Sequence, residues 1–158
     1  MRTLIVFESQ WGNTEAVARA VAEALGPETA VERASALAAS DLAGVELLVV
    51  GSPTQGGRPL AGVTKLLTSL ESNALASTRA AAFDTRLPMG ERGFALRLLM
   101  RTIGYAAPKI AKALEAKGAH LTAPPEGFLV EGKEGPLRPG ELERAAAWAA
   151  TLRAPVGR

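Results

Sequence analysis

Apolar residues gather into short runs at positions 4–7, 47–50 and 80–83, with an interrupted run made of 120–122 and 128–130. The first two are unbroken rather than alternating, the pattern of strands covered on both faces of a parallel sheet. A weaker run at 30–34 carries Glu32 and Arg33, which suits an edge strand. Pro124-Pro125 breaks the last run and puts that strand at the other edge, because proline has no N–H for a ladder. Between the runs the period becomes helical. Positions 14–25 carry Val17, Val21 and Leu25 and stop at Gly26-Pro27. Leu60, Val63, Leu67 and Leu70 form a stripe, and 108–117 opens with Pro108, shows Ile110 and Leu114 on one face, and ends at Gly118. Leu142, Ala145, Ala149 and Leu152 form the last stripe, after Pro139-Gly140. Strand–helix alternation predicts an α/β doubly wound parallel sheet with helices on both faces. No repeat or linker interrupts it, so residues 1–158 are expected to form a single domain.

One interval breaks the alternation. Residues 86–107 are longer than an ordinary loop, and within them Phe94, Leu98, Leu99 and Ile103 recur at helical spacing with Arg92, Arg97 and Arg101 interleaved. The pattern fits first a surface helix on the sheet's edge, with a lid over a ligand at the strand ends as the alternative.

Composition narrows the chemistry. No apolar run approaches the ~20 residues of a membrane-spanning helix. Met1-Arg2-Thr3 passes straight into the first strand, so no signal peptide is expected. With no cysteine there is no disulfide, thiolate metal site or cysteine nucleophile, and the absence fits the cytoplasm. A single histidine, His120, argues against a histidine metal site or a Ser–His–Asp triad. The net charge is +2, and the basic residues are not interleaved with aromatics along a strand face, so no nucleic-acid partner is expected. Redox or group-transfer chemistry would need a borrowed cofactor.

Open α/β sheets bind ligands outside the carboxyl ends of their strands. Three segments rich in Gly, Pro, Ser, Thr or Asp fall there: 9–14, 51–59 and 84–86. The first joins a buried strand to a helix start, where partnerless backbone N–H groups and the helix dipole suit a phosphate. Ser9, Asn13 and Thr14 offer side-chain donors and Gly12 lets the backbone approach closely. Asn13 could equally be a plain helix cap with Thr14 behind it. The loop has neither the Gly-Lys-Ser/Thr of a nucleoside triphosphatase nor the Gly-x-Gly-x-x-Gly of a dinucleotide fold.

The loop Ser9-Gln10-Trp11-Gly12-Asn13-Thr14 resembles the phosphate loop of flavodoxins and of the flavodoxin domains of flavodiiron proteins. Gly51-Ser52-Pro53-Thr54 resembles the same family's second flavin loop. The resemblance runs through the whole chain in element order and implies a flavodoxin-like five-stranded sheet in the order 2-1-3-4-5, of the short-chain type. It also implies FMN as cofactor and electron transfer between a reductase and an acceptor, by a monomer or weak dimer. In that reading Ser9 to Thr14 hold the phosphate, and Pro53, Thr54, Gln55, Gly56 and Gly57 edge the flavin ring. Asp84, Thr85 and Arg86 meet the pyrimidine end through backbone donors, unless Asp84 at its strand end is simply a helix or turn cap. Gly56 and Gly57 would let the backbone turn toward the ring's N5, although they could be simply a turn before the next helix.

Two features depart from the family's common pattern. Flavodoxins usually sandwich the ring between aromatics of the second and third loops, whereas this chain has Gln55 in the second loop and offers Phe94 and Tyr105 only at a distance. Trp11 is read as packing beside the first loop rather than touching the ring. Charge is the other departure: from 84 to 118, Arg86, Arg92, Arg97, Arg101, Lys109, Lys112 and Lys117 outnumber Asp84, Glu91 and Glu115. Positive charge near the ring would raise the reduction potential and favour an acidic partner surface, unless it is only a solvated helix face. Two rival functions stay open. One is an FMN-dependent NAD(P)H:quinone reductase or protoporphyrinogen oxidase-like enzyme, with Met89, Phe94 and Tyr105 lining a second pocket. The other is a flavin-free binding module.

Overall fold

The computed structural model describes residues 1–88, 93–95, 98 and 103–153. Strands β1 (Thr3–Phe7), β2 (Ala30–Arg33), β3 (Leu47–Pro53) and β4 (Arg79–Arg86) alternate with helices α1 (Asn13–Leu25) and α2 (Ala61–Thr68). After β4 come α3 (Ala106–Ala116), β5 (His120–Leu121), β6 (Glu126–Leu129) and α4 (Glu141–Leu152). Every pairing is parallel and the order is β2-β1-β3-β4-β5, with β6 also on β4. The link from β2 to β3 runs through two short 3-10 turns, Ala34–Ala36 and Ala39–Leu42.

The expected order is present, with one difference at the edge. The fifth strand position is filled by two short segments: β5 pairs Arg79 and Ala80, and β6 pairs residues 83–86. Pro124-Pro125 lies between them, where a missing N–H ends the ladder.

Alternation along the strands explains the two-sided cover. Leu4, Val6, Leu48, Val50, Ala80 and Ala82 face one layer with Val63 and Leu67 of α2 and Ile110 and Leu114 of α3. Their neighbours Ile5, Phe7, Val49, Ala81 and Phe83 face the other, with Val17 and Val21 of α1 and Ala145 and Ala149 of α4. Both sets are apolar because both faces are buried, which is why the runs read as continuous. On the second face Phe83, Phe128 and Trp148 form a triad of edge-to-face rings, with centroids 5.9 to 6.0 Å apart.

Two helices differ from the sequence reading. α3 starts at Ala106, so Pro108 is its third residue. In α4 the buried stripe is Ala145, Trp148, Ala149 and Leu152, whereas Leu142 is exposed. The side chain buried at that end is Glu141. Its carboxylate accepts the Leu129 N–H (2.7 Å) and two N–H groups of Arg144 (2.7 and 3.0 Å), which fastens α4 to β6. The Arg144 hydrogen bond holds the Glu141 carboxyl below its ordinary range, against the opposing effect of burial. A carboxyl depressed in the fold contributes stability above its unfolded value, ~4.3, and loses it as the pH falls through the folded value. Glu141→Gln is therefore expected to cost about 1 kcal/mol at neutral pH. Urea unfolding of the two proteins should show that gap narrowing steadily below pH ~4.

Candidate functional site

The carboxyl ends of β1, β3, β4 and β6 open onto a single cleft of about 460 Å³. That size is within the range of small-molecule pockets, roughly 300–1,000 Å³. Of the residues expected there, Ser9, Gln10, Trp11, Asn13, Thr14, Pro53, Thr54, Gln55, Gly56, Gly57, Thr85 and Arg86 line it. The walls also include Leu87, Pro88, Ile103, Tyr105, Val130 and Lys133.

At one end lies the start of α1. Gly12 caps it in a left-handed conformation (φ +94°), and Asn13 is the first helical residue rather than the cap. The Gly12 N–H donates to Ser9 Oγ (3.0 Å), which folds the loop back on itself. The first bond inside the helix is Ala16 N–H to Gly12 C=O (3.0 Å), so the amides of Asn13, Thr14 and Glu15 have no helical acceptor. Thr14 is buried, and its hydroxyl shares a 2.8 Å hydrogen bond with that of Thr85, tying β4 to the floor of this end. Arg33, at the end of β2, braces the loop from behind. Its guanidinium donates to Glu8 Oε1 (3.0 Å) and to the Ser9 carbonyl (3.1 Å), while Glu8 Oε2 accepts the Ser35 N–H (2.8 Å).

The other end is built by the second loop and the start of α3. Gln55 and Arg58 exchange backbone hydrogen bonds (2.9 and 3.0 Å) across Gly56 and Gly57. Both glycines have positive φ (+56° and +77°), the signature of a type I′ turn. Lys109 Nζ donates to the Gly57 carbonyl (2.5 Å) and the Ile103 carbonyl (2.7 Å), so this turn is held from beneath. Gln55 also donates to the Gln10 side chain, bridging the first and second loops.

Asp84 takes the capping role that was its alternative reading, and Arg86 pairs with it through its side chain. The Asp84 backbone is registered between Ser52 of β3 and Gly127 of β6, inside the sheet, and does not line the cleft. Its side chain is fully buried, accepts two N–H groups of Arg86 (2.7 and 2.8 Å), and accepts the Ala107 N–H (2.9 Å). Thr54 Oγ1 accepts the adjacent Ala106 N–H (2.9 Å). Together they satisfy two orphan donors at the start of α3, so Asp84 acts as a helix cap reaching across from a strand. Arg86 lines the cleft with its side chain, and its guanidinium lies 3.7 Å from the centroid of the Tyr105 ring.

The aromatic and charge readings change accordingly. Tyr105 is remote in sequence from the strand ends, yet the cap on α3 brings it into the wall. Trp11 also lines the cleft and is 46% exposed. Phe94 is 81% exposed and is not among the lining residues. Met89, Glu91, Arg92, Arg97, Leu99 and Arg101 lie outside the described residues, and with them the choice between lid and packed helix for 86–107. Among the other cations, Arg86 is neutralised by Asp84, and Lys117 donates to the Leu70 carbonyl at the far end of α3.

Lys133 and Val130 were not anticipated. Both belong to the loop after β6, which reaches the cleft because α1 and α4 pack side by side on one face. The Gly132-Lys133-Glu134-Gly135 turn sequence at the end of the last strand was the available signal. Among the described residues no cluster of His, Asp or Glu suits a metal ion, and no helix is long and apolar enough to cross a membrane.

No family model matches the chain, and no curated protein matches it. Solved structures do. Oxidised flavodoxin 2 from Bacillus cereus superposes with a TM-score of 0.72 at 20% identity, over 96% of this chain and 97% of that one. The flavodoxin of Streptococcus pneumoniae TIGR4 gives 0.71 at 18% identity, with the same coverage. Rubredoxin oxygen:oxidoreductase from Desulfovibrio gigas gives 0.70 at 22% identity, and this chain spans 35% of its length. The chain has the flavodoxin-like fold.

Proposed function

We propose that this chain binds FMN in the cleft and carries electrons between partner proteins. The observation that supports the reading best is the polarity of the cleft. Partnerless helix amides with Ser9 and Asn13 stand at one end, and a space lined by the second loop and Tyr105 stands at the other. That donor set fits a phosphate monoester joined to a planar heterocycle, since backbone amides and hydroxyls satisfy the one and aromatic and aliphatic walls cover the other. Bound FMN would supply redox chemistry to a chain that has no cysteine. Ser9, Gly12, Asn13 and Thr14 would hold the phosphate. Thr54, Gln55, Gly56 and Gly57 would edge the ring with peptide groups whose position Lys109 maintains. Tyr105, held by the Arg86 stack, and Trp11 would exclude water from its faces.

The partners in this reading are a reductase and an acceptor, and residues 1–158 act as one domain in the cytoplasm. The arginine-rich 86–107 segment would meet an acidic partner face. Titrating the purified protein into FMN is expected to quench the flavin fluorescence with one-to-one stoichiometry and to quench part of the emission of exposed Trp11. Unchanged flavin emission at micromolar protein would remove FMN from the proposal. Sustained oxidation of NAD(P)H with a quinone, by the loaded protein alone, would replace the carrier with the enzyme.

A further inference from the structure

Among the described residues no aspartate or glutamate lines the cleft, and two cations do, Arg86 and Lys133. Arg86 is already matched by the buried Asp84 carboxylate. Among the described residues Lys133 has no hydrogen-bond or ion-pair partner. Of the two described cations it is the one without a counter-charge.

Its position is tied to one end of that cleft. The Val130 N–H donates to the Arg86 carbonyl (3.0 Å), and Val130 and Leu137 bridge the base of the loop. Asn13 Nδ2 donates to the Glu134 carbonyl (3.1 Å), one residue from Lys133. The close packing continues at Gly135, where a β-carbon would lie 2.5 Å from Asn13 Oδ1. The loop is therefore fastened to the first residue of α1. The turn of Gly56 and Gly57, by contrast, is fastened to α3 through Lys109 and Ile103. An ammonium group carried on a loop fastened to the start of α1 would add a mobile point charge with three donors to a site of fixed neutral dipoles.

We infer that Lys133 is a specificity residue for the anionic end of the ligand, making the cleft select FMN over riboflavin. The inference rests on the FMN reading above. Two flavins that share a ring and ribityl chain but differ in the phosphate isolate the interaction. Hydrogen bonds to charged groups are the stronger ones, and exposure of Lys133 to solvent screens part of the gain, so an effect of about tenfold is appropriate.

The test is a fluorescence titration of wild type, Lys133→Gln and Lys133→Arg with FMN and with riboflavin, each at low and high salt. Lys133→Gln is expected to bind FMN about tenfold more weakly and riboflavin within about twofold of wild type. Lys133→Arg should stay near wild type with both. The salt dependence of FMN binding should be steeper in wild type than in Lys133→Gln. Equal losses with both flavins would make the lysine part of the scaffold, and no loss with either would leave FMN binding standing and overturn the assignment of Lys133. A wild-type protein that binds neither flavin would overturn both. Lys133 is exposed, so matching melting curves for the three proteins provide the check on folding.

Discussion

Replacing Asp84 by alanine is expected to destabilise the protein by roughly 3–5 kcal/mol, read as a lower urea midpoint at unchanged slope. The carboxylate is fully buried and has three partners: two N–H groups of Arg86 and the amide of Ala107. Its removal leaves a largely buried guanidinium without a counter-charge and an orphan amide at the start of α3. Arg86 also stacks on Tyr105 and packs against Gly127, where a β-carbon would lie 2.3 Å from Arg86 Nε. The same substitution should therefore loosen the Tyr105 wall and weaken FMN binding beyond the stability loss. Asp84→Asn keeps an acceptor for Ala107 and is expected to lose about half as much. A midpoint for Asp84→Ala within error of wild type would show that the ion pair does not hold α3 to the sheet.

The second large effect is expected at Gly57. Its φ of +77° disfavours any side chain, and a β-carbon there would lie 2.0 Å from Ile103 Cγ2 and 3.0 Å from the Ile103 carbonyl. Gly57→Ala must push the second loop and the segment before α3 apart, at a cost of roughly 2–4 kcal/mol from overpacking and the left-handed backbone. Because those two segments line the end of the cleft proposed to take the flavin ring, FMN affinity should fall more than tenfold in a fluorescence titration. Gly56→Ala is the control. It shares the positive φ (+56°) but has open space around it, so only the backbone cost of ~1 kcal/mol applies. Equal effects at the two positions would mean that strain in the turn, rather than contact with Ile103, sets the shape of the cleft.

These two residues show how far the candidate site could be read without coordinates. The first and second loops were legible because their chemistry is local. A polar turn between a buried strand and a helix leaves amides without partners wherever such a helix sits. Asp84 was placed at the right strand end, with a helix or turn cap as its alternative role, but the helix it caps was not legible. A strand residue's side chain can reach the start of a helix more than twenty positions away, and no spacing rule connects Asp84 with Ala107. Lys133 was hidden in the same way, and Tyr105 was read only as a distant aromatic or a wall of a second pocket. Each enters the cleft through a loop whose path depends on which helix packs beside which.

The sequence by itself determined the strand–helix alternation, the parallel sheet, its weak edges and the likeness of two loops to a phosphate- and flavin-binding pair. Those features follow from residue-by-residue periodicity and from proline and glycine chemistry, which act within a few positions of the chain. Tertiary structure alone decided that Pro124-Pro125 divides the edge strand into two registers on β4. It also decided that Glu141, not Leu142, is buried at the start of α4, and that a fourth loop adds an unmatched lysine to the cleft. The reason is the range of the forces. Buried charges and orphan helix amides are satisfied by whichever group the packed layers bring near, and that neighbour comes from a distant part of the chain.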